Sequence, residues 1–240
     1  MVKCVLCNAQ DNEIVLRTRD NDKRGMDSKK VFNLVRCKKC GLCFIGNKPS
    51  KEEMARHYGS DYYAQNNFFN KIMNEIIMLS RLGKINAKKK SNVLDYGCGN
   101  GSFLARMKEK GRGVEGVEFS DAGRKLAGKR LGIKIMDEEE FYKSNKKFGL
   151  ITMWHVLEHI EEPNKLLKRL REMLNKNGLL LISVPNIEAM QFYAFGRNTF
   201  HLDIPRHIVH YSPRTIARLL GKNGFSAVGF DQYSIEYNPF

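Results

Sequence analysis

The chain has 240 residues, enough for one large domain or for a core domain with a small module. Hydrophobic residues make up 42% of it, which suffices for a packed core, yet no stretch reaches the roughly 18 consecutive apolar residues of a membrane span. The first ten residues lack the pattern of a signal peptide, so the composition excludes a membrane protein and predicts a soluble, cytoplasmic one.

The formal net charge is +15, and its excess lies towards the N-terminus. Residues 1–90 carry 19 Lys and Arg against 9 Asp and Glu. A basic module is compatible with nucleic-acid binding, but a lysine-rich solvated surface gives the same count, and metal-bound thiolates would offset part of it. Charge alone leaves both interpretations open.

The cysteines are concentrated at the start of the chain. Two Cys-x-x-Cys pairs, Cys4 with Cys7 and Cys37 with Cys40, predict a metal site rather than disulfides in a cytoplasmic protein. Four thiolates suit a tetrahedral, structural zinc, whereas a redox dithiol would need only one pair. Two strands are predicted between the pairs, so residues 1–47 are interpreted as a zinc ribbon. Cys43 is expected to be a buried small residue outside the metal site.

Residues 48–90 are predicted to be a helical linker or cap. A helix begins around Pro49–Glu53, and a tyrosine-rich stretch follows at residues 58–63. Apolar residues then recur at helical spacing from Phe68 to Leu82, which predicts a long helix that packs on a sheet.

The stretch from Val93 to Gly101, VLDYGCGNG, organises the rest of the chain. Two apolar residues lead into Asp95, and Gly97, Gly99 and Gly101 then alternate with other residues before an apolar helical stretch. A strand that ends in a glycine-rich turn and opens a helix lets the backbone approach a ligand closely. A second predicted strand ends in Glu118, where an acid that binds ribose hydroxyls belongs.

From residue 91 to the end, strands and helices alternate, which predicts a mostly parallel sheet covered on both faces. Strands are predicted at residues 93–96, 114–118, 133–136, 150–153 and 179–184, with a well-marked helix at 163–177. A long aromatic insert, residues 187–210, then precedes a helix that begins at Ser212-Pro213 and a last strand at 226–233.

Four motifs, DYGCGNG, GVEFS, HVLEHIEEP and LLLISVPN, together resemble the class I S-adenosylmethionine-dependent methyltransferases over roughly residues 55–235. The resemblance implies a doubly wound, Rossmann-like α/β domain at residues 91–240, preceded by the zinc ribbon. It also implies S-adenosylmethionine as cofactor. The resembled fold ends with an antiparallel hairpin, and this sequence is expected to be shortened there.

The resemblance assigns the cofactor to residues at the carboxyl ends of the strands. Asp95 would fix the loop and the cofactor's amino group, and Glu118 would accept the ribose hydroxyls. The remaining expected cofactor-binding residues are the loop glycines Gly97, Gly99 and Gly101, together with Phe119, Asp137 and Trp154. Asp137 is equally expected to start a helix, because acids accumulate at helix N-termini.

His155 and His207 are the candidate catalytic residues. His155 follows the fourth predicted strand, where it begins a predicted helix, and His207 lies in the aromatic insert. His159 is interpreted as a structural histidine bonded to backbone, and Arg206 is expected to pair with an anionic substrate.

These features predict a methyltransferase that acts on oxygen or carbon of a small-molecule acceptor. The aromatic insert, residues 191–211, is expected to form the acceptor wall. Two alternatives remain: an RNA methyltransferase that uses the basic zinc module to bind RNA, and a non-catalytic binding protein with the same fold. The sequence leaves the oligomeric state open.

Overall fold

A computed structural model of the chain describes residues 2–19, 30–56, 68–85, 91–196 and 202–231. The strands in these ranges are β1 (Asn12–Arg19), β2 (Val31–Cys37), β3 (Cys43–Ile45), β4 (Val93–Tyr96), β5 (Val114–Val117), β6 (Phe148–Trp154), β7 (Leu174–Ser183) and β8 (Val209–His210). The helices are α1 (Lys51–Arg56), α2 (Phe68–Gly83), α3 (Ser102–Glu109), α4 (Asp121–Leu131), α5 (Glu138–Lys143), α6 (Pro163–Met173), α7 (Met190–Phe195) and α8 (Pro213–Lys222).

The chain divides into two compact units. The cysteine unit comprises Met1–Gly59, His155–Arg171 and Val184–Gln232, and the glycine-loop unit comprises Ser60–Trp154, Glu172–Ser183 and Tyr233–Phe240. These bounds differ from the predicted ones at residues 47 and 90, because segments from the second half of the chain belong to the cysteine unit. The three predicted domains therefore stay a prediction.

The glycine-loop unit contains a parallel sheet in the order β5-β4-β6-β7. Val117 at the end of β5 also makes a parallel bridge to Met136. The predicted strand at residues 133–136 is thus reduced to one bridge, because Asp137 already begins the next helix. Strand order reverses around β4, as in doubly wound α/β folds, so the predicted fold class is confirmed.

The core of the glycine-loop unit is built from the sheet and its helices. The long predicted helix is present as α2, and its Met78 joins Phe103, Leu104 and Trp154 in one buried cluster. Burial of such side chains contributes about 1.5–3 kcal/mol each, which fixes the end of each strand relative to the loop that follows.

The best-marked predicted helix ends earlier than expected. α6 stops at Met173 instead of Asn177, and β7 begins directly with Leu174. Leu174 pairs with Phe148 and Leu179 pairs with Leu150, so the ladder contains an irregularity between these two pairs. Sheet pairing in this stretch overrides the helical pattern that the sequence shows.

The cysteine unit contains an antiparallel sheet in the order β1-β2-β3-β8. The two predicted strands of the ribbon are present as β1 and β2. β8, which follows the aromatic insert, pairs with β3 through Cys43 and His210. Phe32, Leu34 and Ile45 form the core of this unit together with Leu202 and Ile204. The ribbon is therefore completed by residues far away in the sequence.

The helix predicted after the insert is confirmed as α8. Ser212 caps it with a capping box to Thr215, and Pro213 occupies its first position. The predicted last strand is not observed in its described part, since residues 226–231 form neither helix nor strand. No helix within the described ranges combines the length and hydropathy needed to cross a bilayer.

Candidate functional site

The glycine loop has the backbone that its sequence predicts. Gly97, Gly99 and Gly101 have φ angles of 79°, 55° and 75°, in the left-handed region where residues with a Cβ are disfavoured. Gly101 precedes α3, and a Cβ there would lie 3.0 Å from the Cβ of Ala127. A Cβ at Gly99 would meet no atom within 4 Å. The loop thus packs tightly at Gly101 and leaves open space at Gly99.

Alanine at Gly101 is expected to destabilise the fold more than alanine at Gly99. Both changes place a Cβ on a left-handed residue, at about 1–2 kcal/mol, but only Gly101→Ala also overpacks the core, at about 1–3 kcal/mol more. Urea unfolding of the two variants measures the difference. Equal losses would contradict close packing of Gly101 against α4.

Glu118 bridges the glycine loop and the turn that follows β5. Its Oε2 accepts a hydrogen bond from the Gly99 N–H at 2.8 Å, and its Oε1 accepts one from the Ser120 N–H at 2.9 Å. The side chain is 6% exposed. A carboxylate oxygen can accept more than one bond, so both oxygens retain capacity for ribose hydroxyls while they hold the loop.

Asp95 is the last residue but one of β4 and is buried. It is 2% exposed, and its Oδ1 accepts a hydrogen bond from the Thr152 hydroxyl at 2.7 Å. Burial raises the pKa of this carboxyl to about 7, against the lowering effects of Thr152 and of the nearby Arg81 charge. An acid of this kind gains stabilisation when a cation reaches it.

Asp95 is expected to make stability fall with rising pH. Its pKa is raised above the ordinary value of 3.8, so its contribution is fully present below about pH 4 and is lost as pH rises through about 7. Asp95→Asn keeps the acceptor for Thr152 and removes the titration. Between pH 5 and pH 8, the free energy of unfolding of wild type should therefore fall by up to roughly 3 kcal/mol more than that of the variant. Parallel profiles would contradict this.

The other expected cofactor-binding residues lie near the same strand ends. Phe119 is 43% exposed, and its ring contacts that of Tyr96 edge-on with centroids 5.4 Å apart. Asp137 is the N-cap of α5 in a capping box with Glu140, which confirms the expectation that it starts a helix. Its expected role near the adenine stays a prediction. Trp154 ends β6, and its ring packs edge-on against Phe103.

The four paired cysteines converge in the cysteine unit. Sγ atoms of Cys4 and Cys40 lie 3.5 Å apart, as do those of Cys7 and Cys37, and all four lie within 4.8 Å of one another. Tetrahedral zinc, with metal–sulfur bonds of about 2.3 Å, would set its sulfurs about 3.8 Å apart. The thiols therefore fit the metal. Cys43 is buried outside this cluster, as expected.

The turns around the cysteines explain this convergence. Asn8 and Gly41, which follow the two pairs, have φ angles of 61° and 80°. Their N–H groups donate to the carbonyls of Cys4 and Cys37, each at 2.8 Å. A left-handed residue after each pair directs both thiols of that pair to one point.

His155 does not begin a helix. Its φ angle is 54°, and only a 3₁₀ turn, Leu157–His159, follows. A left-handed residue is not part of a right-handed helix, so the prediction that a helix begins at His155 is wrong. The Nδ1 of His155 instead lies 3.4 Å from the Oε1 of Glu158. The Nδ1 of His159 lies 2.9 Å from the Arg206 carbonyl oxygen, which confirms a histidine bonded to backbone.

Glu158 is the centre of a buried polar cluster that the sequence analysis missed. It is 1% exposed, and neither of its carboxylate oxygens has a hydrogen-bond partner among the described residues. Its Oε1 lies 3.9 Å from the Nε2 of His207, which is 3.6 Å from the Oδ2 of Asp203. His207 is thus flanked by two carboxylates. The available sequence signal was an acidic residue inside the motif HVLEHI, which is one of the motifs that carry the family resemblance.

Arg206 does not match its expected role. Its guanidinium donates to Asp203 at 2.7 Å, and only 7% of the residue is exposed. The expectation that it pairs with an anionic substrate is replaced by this internal ion pair. His201 and the tyrosine-rich stretch at residues 58–63 lie outside the described residues.

A small cavity lies beside this cluster, entirely within the cysteine unit. Its polar lining includes Glu158, Asn186, His207 and His210. Apolar walls come largely from the predicted insert, namely Ile187, Ala189, Phe192, Leu202 and Val209. Burial lowers the pKa of His210 to about 4, so that ring is neutral at physiological pH. A small, mostly apolar cavity with a few polar groups is typical of a small-molecule site.

A parallel sheet, a left-handed glycine loop after β4 and an acid at the end of β5 define an α/β protein of the nucleoside-cofactor class. Comparison with known proteins specifies this class. Residues 70–229 match the methyltransferase domain family, and the chain therefore belongs to that family.

Individual proteins of known name or structure also match this chain. The ubiquinone biosynthesis O-methyltransferase of Histophilus somni is 31% identical over 113 residues, 42% of this chain and 48% of that protein. The chain thus spans about half the length of that relative. An S-adenosylmethionine-dependent methyltransferase from Archaeoglobus fulgidus shares the fold, with a TM-score of 0.54 and 23% identity over 67% of this chain and 75% of that one.

A third protein, of known structure, also shares the fold. The magnesium protoporphyrin IX methyltransferase of Synechocystis PCC 6803, whose structure contains bound S-adenosylhomocysteine, has a TM-score of 0.51 and 20% identity. The match covers 72% of this chain and 82% of that one.

Proposed function

We propose that the protein is an S-adenosylmethionine-dependent methyltransferase that acts on oxygen or carbon of a small-molecule acceptor. The cofactor assignment rests on the contact between the glycine loop and Glu118, in which the N–H of the left-handed Gly99 donates to the Glu118 carboxylate. A sulfonium cofactor has no phosphate, and the buried Asp95 suits its ammonium group, whereas it would repel a pyrophosphate. The loop glycines, Phe119, Asp137 and Trp154 complete the proposed cofactor-binding set.

The cavity of the cysteine unit is the proposed acceptor site. Chain order supports this, because β6 runs directly into the segment that contains Glu158, and β7 runs directly into Pro185 and Asn186 of the cavity lining. Ligands of α/β sheets bind beyond the carboxyl ends of strands, where these segments begin. The mostly apolar lining of this cavity, with its few polar groups, has the composition of a small-molecule site rather than of a nucleic-acid-binding surface.

His155 and His207 are the proposed catalytic residues. Bound S-adenosylmethionine supplies a methyl group on a sulfonium, and the acceptor must lose a proton as its oxygen or carbon takes that methyl. In this proposal His207 takes the proton at Nε2. Glu158 and Asp203, 3.9 and 3.6 Å away, balance the positive charge that the ring acquires. His155, which lies beside the same Glu158 oxygen, helps to align the acceptor.

One structural zinc is proposed at Cys4, Cys7, Cys37 and Cys40. The mutual approach of the four sulfurs supports it, and a set of four thiolates leaves no open position for catalysis. A metal held by both cysteine pairs would tie the turn at Cys4–Cys7 to the turn at Cys37–Cys40, so metal binding would contribute to folding.

Glu118→Ala is expected to weaken binding of S-adenosylhomocysteine by about 1–3 kcal/mol, because ribose hydroxyls lose a charged acceptor and the loop loses its brace. Titration calorimetry measures the change. Glu115→Ala is the matched control: Glu115 lies in the same strand, and its side chain pairs with Lys146. Unchanged affinity in Glu118→Ala would remove Glu118 from the site.

The alternative functions give different results in the same experiments. An RNA methyltransferase would transfer methyl to bulk RNA with salt-dependent affinity and not to small acceptors. A non-catalytic protein would bind S-adenosylmethionine without releasing its methyl group. Methyl transfer to phenols or sugars supports the proposed function.

A further inference from the structure

Glu158 is a buried carboxylate whose two oxygens have no hydrogen-bond partner within the part of the chain that the structure describes. It lines the proposed acceptor cavity and is 1% exposed. Its Oε1 lies 3.4 Å from the Nδ1 of His155 and 3.9 Å from the Nε2 of His207, which leaves Oε2 for another group. A charge buried in this way is costly unless a cation or a hydrogen-bond donor meets it.

The described lining of the cavity contains no permanent cation for this carboxylate. None of its residues is a lysine or an arginine. The guanidinium of Arg206 donates instead to Asp203, at 2.7 Å. His210 lines the cavity, but burial lowers the pKa of its ring to about 4, so the ring is neutral at physiological pH. The cavity therefore combines apolar walls with a negative charge that the protein does not balance while its histidines are neutral.

A divalent metal ion is the competing occupant. Ligand atoms of Glu158, His159 and His207 lie within 4.8 Å of one another, which is close enough for one ion. A metal there would compete with the proton for His207, whereas the proposed function needs the Nε2 of His207 as the proton acceptor. An ammonium group needs only acceptor oxygens, so it can pair with Glu158 without occupying His207.

We propose that the methyl acceptor is an amino alcohol, whose protonated amine pairs with Glu158 while its hydroxyl faces His207 and its apolar part lies against the cavity wall. The inference rests on the proposed function and names the substrate class of that site. The 3.9 Å between Glu158 Oε1 and His207 Nε2 brings a carboxylate and a base within reach of groups on neighbouring carbon atoms. It also reverses the substrate charge that the sequence analysis expected, because Arg206 is bound to Asp203.

Three ligands with one carbon skeleton test this proposal: 2-amino-1-phenylethanol is a cation, 1-phenyl-1,2-ethanediol is neutral, and mandelate is an anion. Calorimetry with S-adenosylhomocysteine present measures their affinities for the full chain. Wild type is expected to bind the amino alcohol at least about 10-fold more tightly than the diol, and mandelate more weakly than either. Glu158→Gln keeps the shape of the side chain and removes its charge, so the amino alcohol and the diol should then bind within about twofold of each other.

Glu188→Gln is the matched control, because Glu188 follows Asn186 and Ile187 of the cavity lining but is itself exposed and outside that lining. It should leave the preference for the amino alcohol unchanged. Equal affinities of wild type for the three ligands, binding of none of them, or the same preference in Glu158→Gln would overturn the proposal. So would a metal ion, beyond the structural zinc, that wild type binds and Glu158→Gln lacks. Failure of the proposed function is a separate outcome, because it would appear as absent binding of S-adenosylhomocysteine, which the same calorimetry measures by itself.

Discussion

Replacement of Cys37 with serine is expected to abolish metal binding and to unfold the cysteine unit. Cys37 ends β2, is fully buried, and has its sulfur 3.5 Å from that of Cys7. Structural zinc contributes about 10–16 kcal/mol in small zinc-binding peptides, and three thiolates hold the metal far less well than four. The free energy of unfolding of folded domains is typically only about 5–15 kcal/mol, so a loss of this size is enough to unfold the unit.

Metal analysis, thiol titration and thermal unfolding of purified protein measure the effect. Wild type should contain one zinc per chain, and Cys37→Ser should contain close to none and show an early transition. Cys43→Ala is the control: Cys43 lies in the neighbouring strand, 3% exposed, outside the four-sulfur cluster. It should retain its zinc and lose about 1 kcal/mol for the small cavity. Wild type without zinc and with all thiols free would overturn the metal proposal.

His207→Ala is expected to lower kcat for a hydroxyl or carbon acceptor by about 10²- to 10⁴-fold, the usual contribution of a general base. Affinity for S-adenosylhomocysteine should not change, because His207 belongs to the cysteine unit and the proposed cofactor residues belong to the other. Glu158→Gln keeps the shape of the side chain and removes its charge. It should lower kcat less than His207→Ala does, because it weakens the stabilisation of His207 after the ring has taken the proton.

The assay follows methyl release on a panel of phenols, sugars and bulk RNA. Tyr193→Ala serves as the control, because Tyr193 lies on the insert but is 75% exposed and outside the cavity lining. Full activity of His207→Ala on a hydroxyl acceptor would exclude His207 as the base. Turnover on RNA alone would exclude the small-molecule acceptor.

Local chemistry made part of this molecule predictable. The glycines Gly97, Gly99 and Gly101 predicted a turn that allows close backbone approach, and all three adopt left-handed backbone, which glycine permits. The spacing of the cysteine pairs required convergence of their thiols, and their sulfurs converge. In the glycine loop the physical cause acts within a few residues, whereas the cysteine spacing indicates the convergence through the metal that four thiolates would share.

The predictions that failed concern segments whose structure depends on residues far away in the sequence. The helical pattern up to Asn177 was overridden by pairing of Leu174 with Phe148. Glu158 was not among the predicted site residues, because its nearest partner in this cluster, His207, lies some fifty residues later in the sequence. Roles of individual site residues, His155 and His207 included, stay predictions until the variants are measured.

The pairing of β8 with β3 has a consequence for the order in which the chain folds. The cysteines leave the ribosome first, but their sheet gains its last strand only after residues 209–210 have been made. The backbone beside the first cysteines is also bonded to distant residues, since Asn164 donates to the Val5 carbonyl and Lys222 donates to the Leu6 carbonyl. Closing contacts across more than 150 residues is entropically costly and slow. Residue 222 must therefore be synthesised before the contacts of the first residues are complete, and residues 1–47 are expected to be less stable as a fragment than within the chain.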